Sequence, residues 1–81
     1  GVTLMNYSCS DNTYHGIFAY GGCTVIGNSC YSNGESGIKP QDNCLVIDNT
    51  AYNNIKANFD PCQSCTFDRN HGYLKLILLQ E

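Results

Sequence analysis

Eighty-one residues hold at most one domain, and a chain this short buries only about 60% of the surface its unfolded form exposes, so an ordinary core alone leaves it marginal. Four Lys and Arg residues (Lys39, Lys56, Arg69, Lys75) against seven Asp and Glu give a net charge of −3; no basic stripe is available to neutralise a phosphate backbone, which argues against a nucleic-acid partner. The longest apolar run, Leu76 to Leu79, falls far short of the roughly 20 residues that span a bilayer, and no charged-then-apolar leader opens the sequence, so no transmembrane segment is expected.

Asparagine and glycine are frequent and helix-forming runs are missing until the last few residues, which disfavours amphipathic helices. Cut every 21 residues, the chain gives the lines 2–22, 23–43, 44–64 and 65–81, whose columns agree in chemistry. The first column holds Val2, Cys23, Cys44 and Cys65, and the third holds Leu4, Val25, Val46 and Phe67. That is the period-two spacing of a strand with one buried face. The fourth column, Met5, Ile26 and Ile47, is apolar but out of phase with that face. The sixth carries Asn28, Asn49 and Asn70 after Tyr7, the eleventh Asn12, Asn33 and Asn54, and the sixteenth Ile17, Ile38 and Phe59.

A period near 20 with short strands and turn residues in register marks a solenoid whose units bury their apolar faces only by stacking. Helical repeats need about 33 residues, so the coils are β. At about 3.3 Å per residue each coil closes as three short strands and three corners, with coils about 4.8 Å apart. Asparagine tolerates a left-handed corner, and its amide can bond the identical amide one coil away, so the asparagine columns are placed at corners as ladders. Gly16 and Gly37 before the Ile column read as further corner residues, with Asn58 in that place in the third coil.

The stretches CTVIGNSCYSNGESGI and CLVIDNTAYNN resemble the repeats of right-handed parallel β-helix proteins of the pectate-lyase-like superfamily, in particular its carbohydrate-binding and sugar-hydrolase repeat group. The resemblance runs from Val2 to about Asn70. It implies an all-β, right-handed parallel β-helix of three full coils and a partial fourth, as a single domain over 1–81. It leaves activity open, because that group contains lyases, hydrolases, epimerases, tailspikes and proteins without chemistry. After Tyr73 the sequence YLKLILLQE departs from the pattern and reads as a cap or an interface strand.

Six cysteines raise the questions of disulfides and metal. Cys23, Cys44 and Cys65 share one column and Cys9 and Cys30 another; Cβ atoms about 4.8 Å apart on parallel vectors do not suit a disulfide, which wants about 3.8 Å, so these read first as inward thiol ladders, with partial disulfide formation as the alternative. Cys62 and Cys65 form a lone CxxC without a second pair, read first as carrying no special role, with a corner disulfide and a redox or metal pair as alternatives. Tyr31, Tyr52 and Tyr73 share the ninth column as an aromatic stripe, either a stabilising ladder or a surface for sugar rings. Asp48 beside Arg69 and Lys39 beside Asp60 read as surface ion pairs of small worth.

The carboxylates Asp11, Asp42, Asp48, Asp60 and Asp68 fall in five columns, and His15 and His71 in two more, so no catalytic constellation is visible. Asp48, Asp68 and Arg69 are the best polar cluster, although alternation sets Asp48 and Asp68 on opposite faces. The Thr column (Thr3, Thr24, Thr66), broken by Leu45, is too sparse for a flat ice-binding array. The expected function is a non-catalytic structural or binding module associated with carbohydrate, with a polysaccharide-active enzyme, or a fragment of one, as the alternative. No metal or cofactor is expected; the partners are a polysaccharide and further copies of the chain, joined through the solenoid ends, the fourth column or the strand LKLILL. An extracellular or cell-surface location fits this reading.

Overall fold

The computed structural model describes residues 1–72; Tyr73 and the segment LKLILL, expected as a cap or interface strand, lie outside them. The first coil contains β1 (Thr3–Met5), β2 (Ser8–Ser10) and β3 (Ile17–Ala19); the second β4 (Thr24–Ile26), β5 (Ser29–Tyr31) and β6 (Ser36–Pro40). The third contains β7 (Leu45–Ile47), β8 (Thr50–Tyr52) and β9 (Ala57–Phe59), and β10 (Thr66–Asp68) opens a fourth. Like strands stack into three parallel sheets, β1-β4-β7-β10 (sheet 1), β2-β5-β8 (sheet 2) and β3-β6-β9 (sheet 3). The result is an all-β parallel solenoid of about 3 turns with roughly 21 residues per turn. Its register follows the sequence columns, Leu4 on Val25 on Val46 on Phe67 and Cys9 on Cys30 on Ala51. Among the described residues no helix is long and apolar enough to cross a membrane.

The three sheets enclose a core of complementary sizes. Sheet 1 contributes Val25 and Val46, sheet 3 contributes Ile17, Ile38 and Phe59, and sheet 2 meets these larger groups with Cys30 and Ala51. Cys23 and Cys44 complete the core from the first column. Met5 is half exposed and Ile26 and Ile47 are half-buried, so the fourth column faces outward.

Two ladders of asparagine amides run along the corners, with Asn28, Asn33 and Asn49 buried. The backbone N–H and Nδ2 of Asn28 both donate to Asn49 Oδ1 at 2.8 and 3.0 Å, and those of Asn49 donate in the same way to Asn70 Oδ1 at 3.0 Å each. Their second Nδ2 protons reach back to main-chain carbonyls of the preceding coil, Leu4 O for Asn28 and Val25 O for Asn49, at 3.0 and 2.8 Å. Asn12, Asn33 and Asn54 repeat the scheme at the next corner. Column eleven has no asparagine in a fourth coil, and Asn58 takes that place: its Oδ1 accepts from Asn54 N and Nδ2 at 3.3 and 3.0 Å.

Two corner expectations need correction. The ladder asparagines are not the left-handed residues. Positive φ falls one position earlier, at Asn6, Gly27, Asp48 and Arg69 in one column and at Asp11, Ser32 and Asn53 in the other. A left-handed residue inserted between two strands resets the alternation, so the residue after it points inward and brings its amide into the interior. Nor do Gly16 and Gly37 supply a left-handed φ. A Cβ on Gly37 would stand 2.6 Å from Asn54 Nδ2 and from Asn58 O, and one on Gly16 2.7 Å from Asn33 Nδ2; these glycines leave room for the ladder amides.

Asn49→Ala removes the acceptor of two buried Asn28 donors and the donor to Val25 O. We expect a loss of about 3 kcal/mol, read as a lower urea midpoint, against about 0.5 or less for the exposed Gln63→Ala.

Candidate functional site

The expected polar cluster does assemble, and its geometry differs from the alternation argument. Arg69 Nε and Nη2 donate to Asp48 Oδ1 and Oδ2 at 2.9 and 3.1 Å, and Nη1 donates to Asp68 Oδ2 at 3.0 Å. Asp48 and Arg69 sit at left-handed corners (φ 54 and 51), so strand alternation does not carry across them and both carboxylates reach one guanidinium. The hydrogen bond from Arg69 holds the Asp48 carboxyl below the usual carboxylate range, and the same contact raises the guanidinium. A lyase base must be unprotonated to take the substrate's proton, and a glycosidase needs one protonated carboxyl. This clamp opposes both: it keeps Asp48 ionised at neutral pH and Arg69 charged.

Lys39 and Asp60 pair as expected, Nζ to Oδ2 at 3.3 Å, yet this is not a surface pair. Asp60 is buried, and Ser36 Oγ donates to the same oxygen at 2.8 Å. His15 and Glu35, a pair the column reading did not consider, also meet. His15 Nδ1 accepts the Ser36 N–H at 3.3 Å, which puts the imidazole proton on Nε2, 3.6 Å from Glu35 Oε1. They occupy neighbouring columns across a corner, where comparing residues within a column cannot find them. Among the described residues no three His, Cys, Asp or Glu side chains are grouped to hold a metal ion.

Cys62 and Cys65 are joined as a disulfide, so this pair has a structural role and Cys65 leaves the first-column thiol ladder. The corner 61–65 folds the two cysteines to a Cα separation of 5.3 Å, within disulfide reach. Cys9, Cys23, Cys30 and Cys44 remain free thiols. Burial pushes the Cys30 thiol far up, and the Coulombic and hydrogen-bond influence of Cys9 adds to it; it behaves as a small core hydrophobe.

The aromatic side chains divide into two kinds of surface. Tyr31 and Tyr52 stack in register with centroids 5.1 Å apart and planes within 4° of parallel, so each covers one face of the other. Tyr73, their expected third member, lies outside the described residues. On the outer face of sheet 3, Phe18 and Tyr20 project two residues apart with centroids 5.2 Å apart and planes tilted by 57°, and His15 stacks on Phe18 at 5.6 Å. Tyr20 is 71% exposed and Phe18 45%. Lys39 follows Phe18 in register on the next coil, and an open hollow lined by Lys39, Gln41, Asp42, Cys62, Gln63 and Ser64 continues from there. Periodicity missed this group because the aromatics occupy one coil only; the signal in the sequence was IFAY, alternating inward Ile17 and Ala19 with outward Phe18 and Tyr20.

Comparison with protein-family models, with curated proteins and with solved structures finds no match. The β-solenoid and its chemistry therefore stand on the geometry described above.

Alkylation of the denatured, unreduced protein is expected to label four cysteines, and six after reduction. In the folded protein Cys30 is expected to react slowest, because its thiolate is suppressed. Mass spectrometry of the peptides checks both statements.

Proposed function

We propose that the chain is a non-catalytic β-helical binding module of the pectate-lyase-like kind, whose outer sheet 3 face takes a carbohydrate at a cell or particle surface. The observation that carries the reading is the pair of open rings, Phe18 and Tyr20, beside a hollow of amide, hydroxyl, ammonium and carboxylate groups. Flat apolar rings suit the C–H faces of pyranoses, and the polar rim suits their hydroxyls. The Tyr31–Tyr52 stack, in which each ring covers one face of the other, is assigned to stabilising the coil stack. The alternative, a polysaccharide-active enzyme using Asp48, Asp68 and Arg69, is disfavoured by the clamp that pairs both carboxylates with one guanidinium on an exposed corner.

A glycan array followed by titration of the best ligand tests the reading. Tyr20→Ala and Phe18→Ala should each weaken binding about tenfold or more, in line with an aromatic contact of about 1.5 kcal/mol, and Tyr52→Ala should leave it near wild type. Binding lost on Tyr52→Ala alone would move the site to the tyrosine stripe. New unsaturated ends absorbing in the ultraviolet on incubation with uronate polysaccharides and calcium would overturn the non-catalytic assignment.

Self-association belongs to the same proposal. The apolar stripe Met5, Ile26 and Ile47 on the outer face of sheet 1, with Leu45 beside it at 38% exposure, suits burial against a second copy. Light scattering at micromolar concentration should give a mass above the monomer that falls to monomer on Met5→Lys with Ile47→Lys; a monomer mass that persists as concentration rises would refute it.

A further inference from the structure

The sequence contains ten asparagines; the fold leaves Asn6, Asn43 and Asn53 outside the ladders, each exposed at a left-handed corner, and the sequence around Asn6 separates it from the other two. Asn12, Asn28, Asn33, Asn49, Asn54 and Asn70 commit their amides to the ladders, and Asn58 closes one of them. Asn6 is exposed at a left-handed corner with φ 61, and its side chain makes no hydrogen bond among the described residues. In this sequence it is also the sole asparagine followed, after one residue other than proline, by Ser or Thr: Asn6-Tyr7-Ser8. We propose that Asn6 is an acceptor site for an N-linked oligosaccharide.

The acceptor reaction needs a surface amide that is not already bonded and a hydroxyl residue two positions on. Both are present. Ser8 is exposed at the start of β2. The neighbouring coil presents Gly27 at the equivalent position, and a Cβ there would stand 2.8 Å from Asn6 Oδ1. The oxygen branch of the amide thus lies in the notch that glycine leaves. Tyr7, 58% exposed, stands next to it, with an open ring for the first sugar to lie against. The third and fourth coils carry Asp48 and Arg69 at the same corner, so large groups there project outward without touching the core.

The Cys62–Cys65 disulfide is a second, independent observation. Such bonds persist in oxidising, exported environments, where N-linked sugars are also found. In the transfer step Asn6 Nδ2 attacks the anomeric carbon of a polyprenyl-diphosphate-linked oligosaccharide. The C–N bond forms as the C–O bond to the diphosphate breaks, the transferase's base takes the amide proton, and polyprenyl diphosphate leaves. This assignment is independent of the carbohydrate-binding reading: one concerns a covalent sugar at a corner of sheet 1, the other a reversible ligand on sheet 3.

The test is to direct the full chain through a eukaryotic secretory pathway with an appended leader and to measure intact mass on both the secreted and the cell-associated protein. The expected result is a mass larger than the polypeptide by one oligosaccharide, returned to the polypeptide value by peptide N-glycosidase. That increment should vanish in Asn6→Gln and in Ser8→Ala and persist in Ser8→Thr. Since Ser8 faces outward, its substitution leaves the core intact, and reading the cell-associated pool removes any dependence on export. An unmodified wild-type chain in both pools would overturn the proposal, as would an increment that survives Asn6→Gln.

Discussion

The structure depends on a single hydrogen-bonding scheme, repeated at two corners. A buried asparagine oxygen accepts a main-chain and a side-chain N–H from the coil before it, and the amide nitrogen returns a bond to a carbonyl of that coil. Because a buried amide left without partners is costly, each coil must meet the next with the asparagines superposed. That requirement sets the 21-residue register seen in the ladder bonds. A shift of one residue would bury an unbonded amide at every rung and turn the core side chains outward.

Other features of the chain follow from making room for this scheme. Left-handed residues stand one position ahead of each ladder so that the amides point inward. Gly16 and Gly37 lack side chains because ladder nitrogens occupy the space. Asn58, where the earlier coils have glycine, folds its amide back as the last rung. Small inward residues on sheet 2 leave volume for Ile38 and Phe59 opposite, so the core of a short chain packs large side chains against small ones.

With interior positions committed to stacking, the outer face of each strand is free to vary between coils, and the distinguishing chemistry is found there. The tyrosine pair extends the stacking logic to the surface, one ring face against the other. Phe18 and Tyr20 do not repeat in the next coil, where Lys39 and Gln41 stand in the same columns, and their rings stay open to solvent. The one-guanidinium clamp on Asp48 and Asp68 shows the opposite use of a corner, in which charge is neutralised locally.

The sequence by itself determined what recurs. Strict columns such as Val25 over Val46 and Asn28 over Asn49 carry the fold class, the coil length and the inward face, because stacking places like on like. Tertiary structure alone decided what lies between columns. Whether a corner residue or its successor points inward depends on a left-handed φ that Asn, Asp, Ser and Arg all adopt here, so residue identity does not mark it. That turn brings Asp48 and Asp68 to one arginine, and the folding of neighbouring corners sets His15 against Glu35 and Cys62 on Cys65. The open Phe18–Tyr20 surface was visible as an alternating tetrapeptide, but its exposure beside a polar hollow required the second and third coils to be in place.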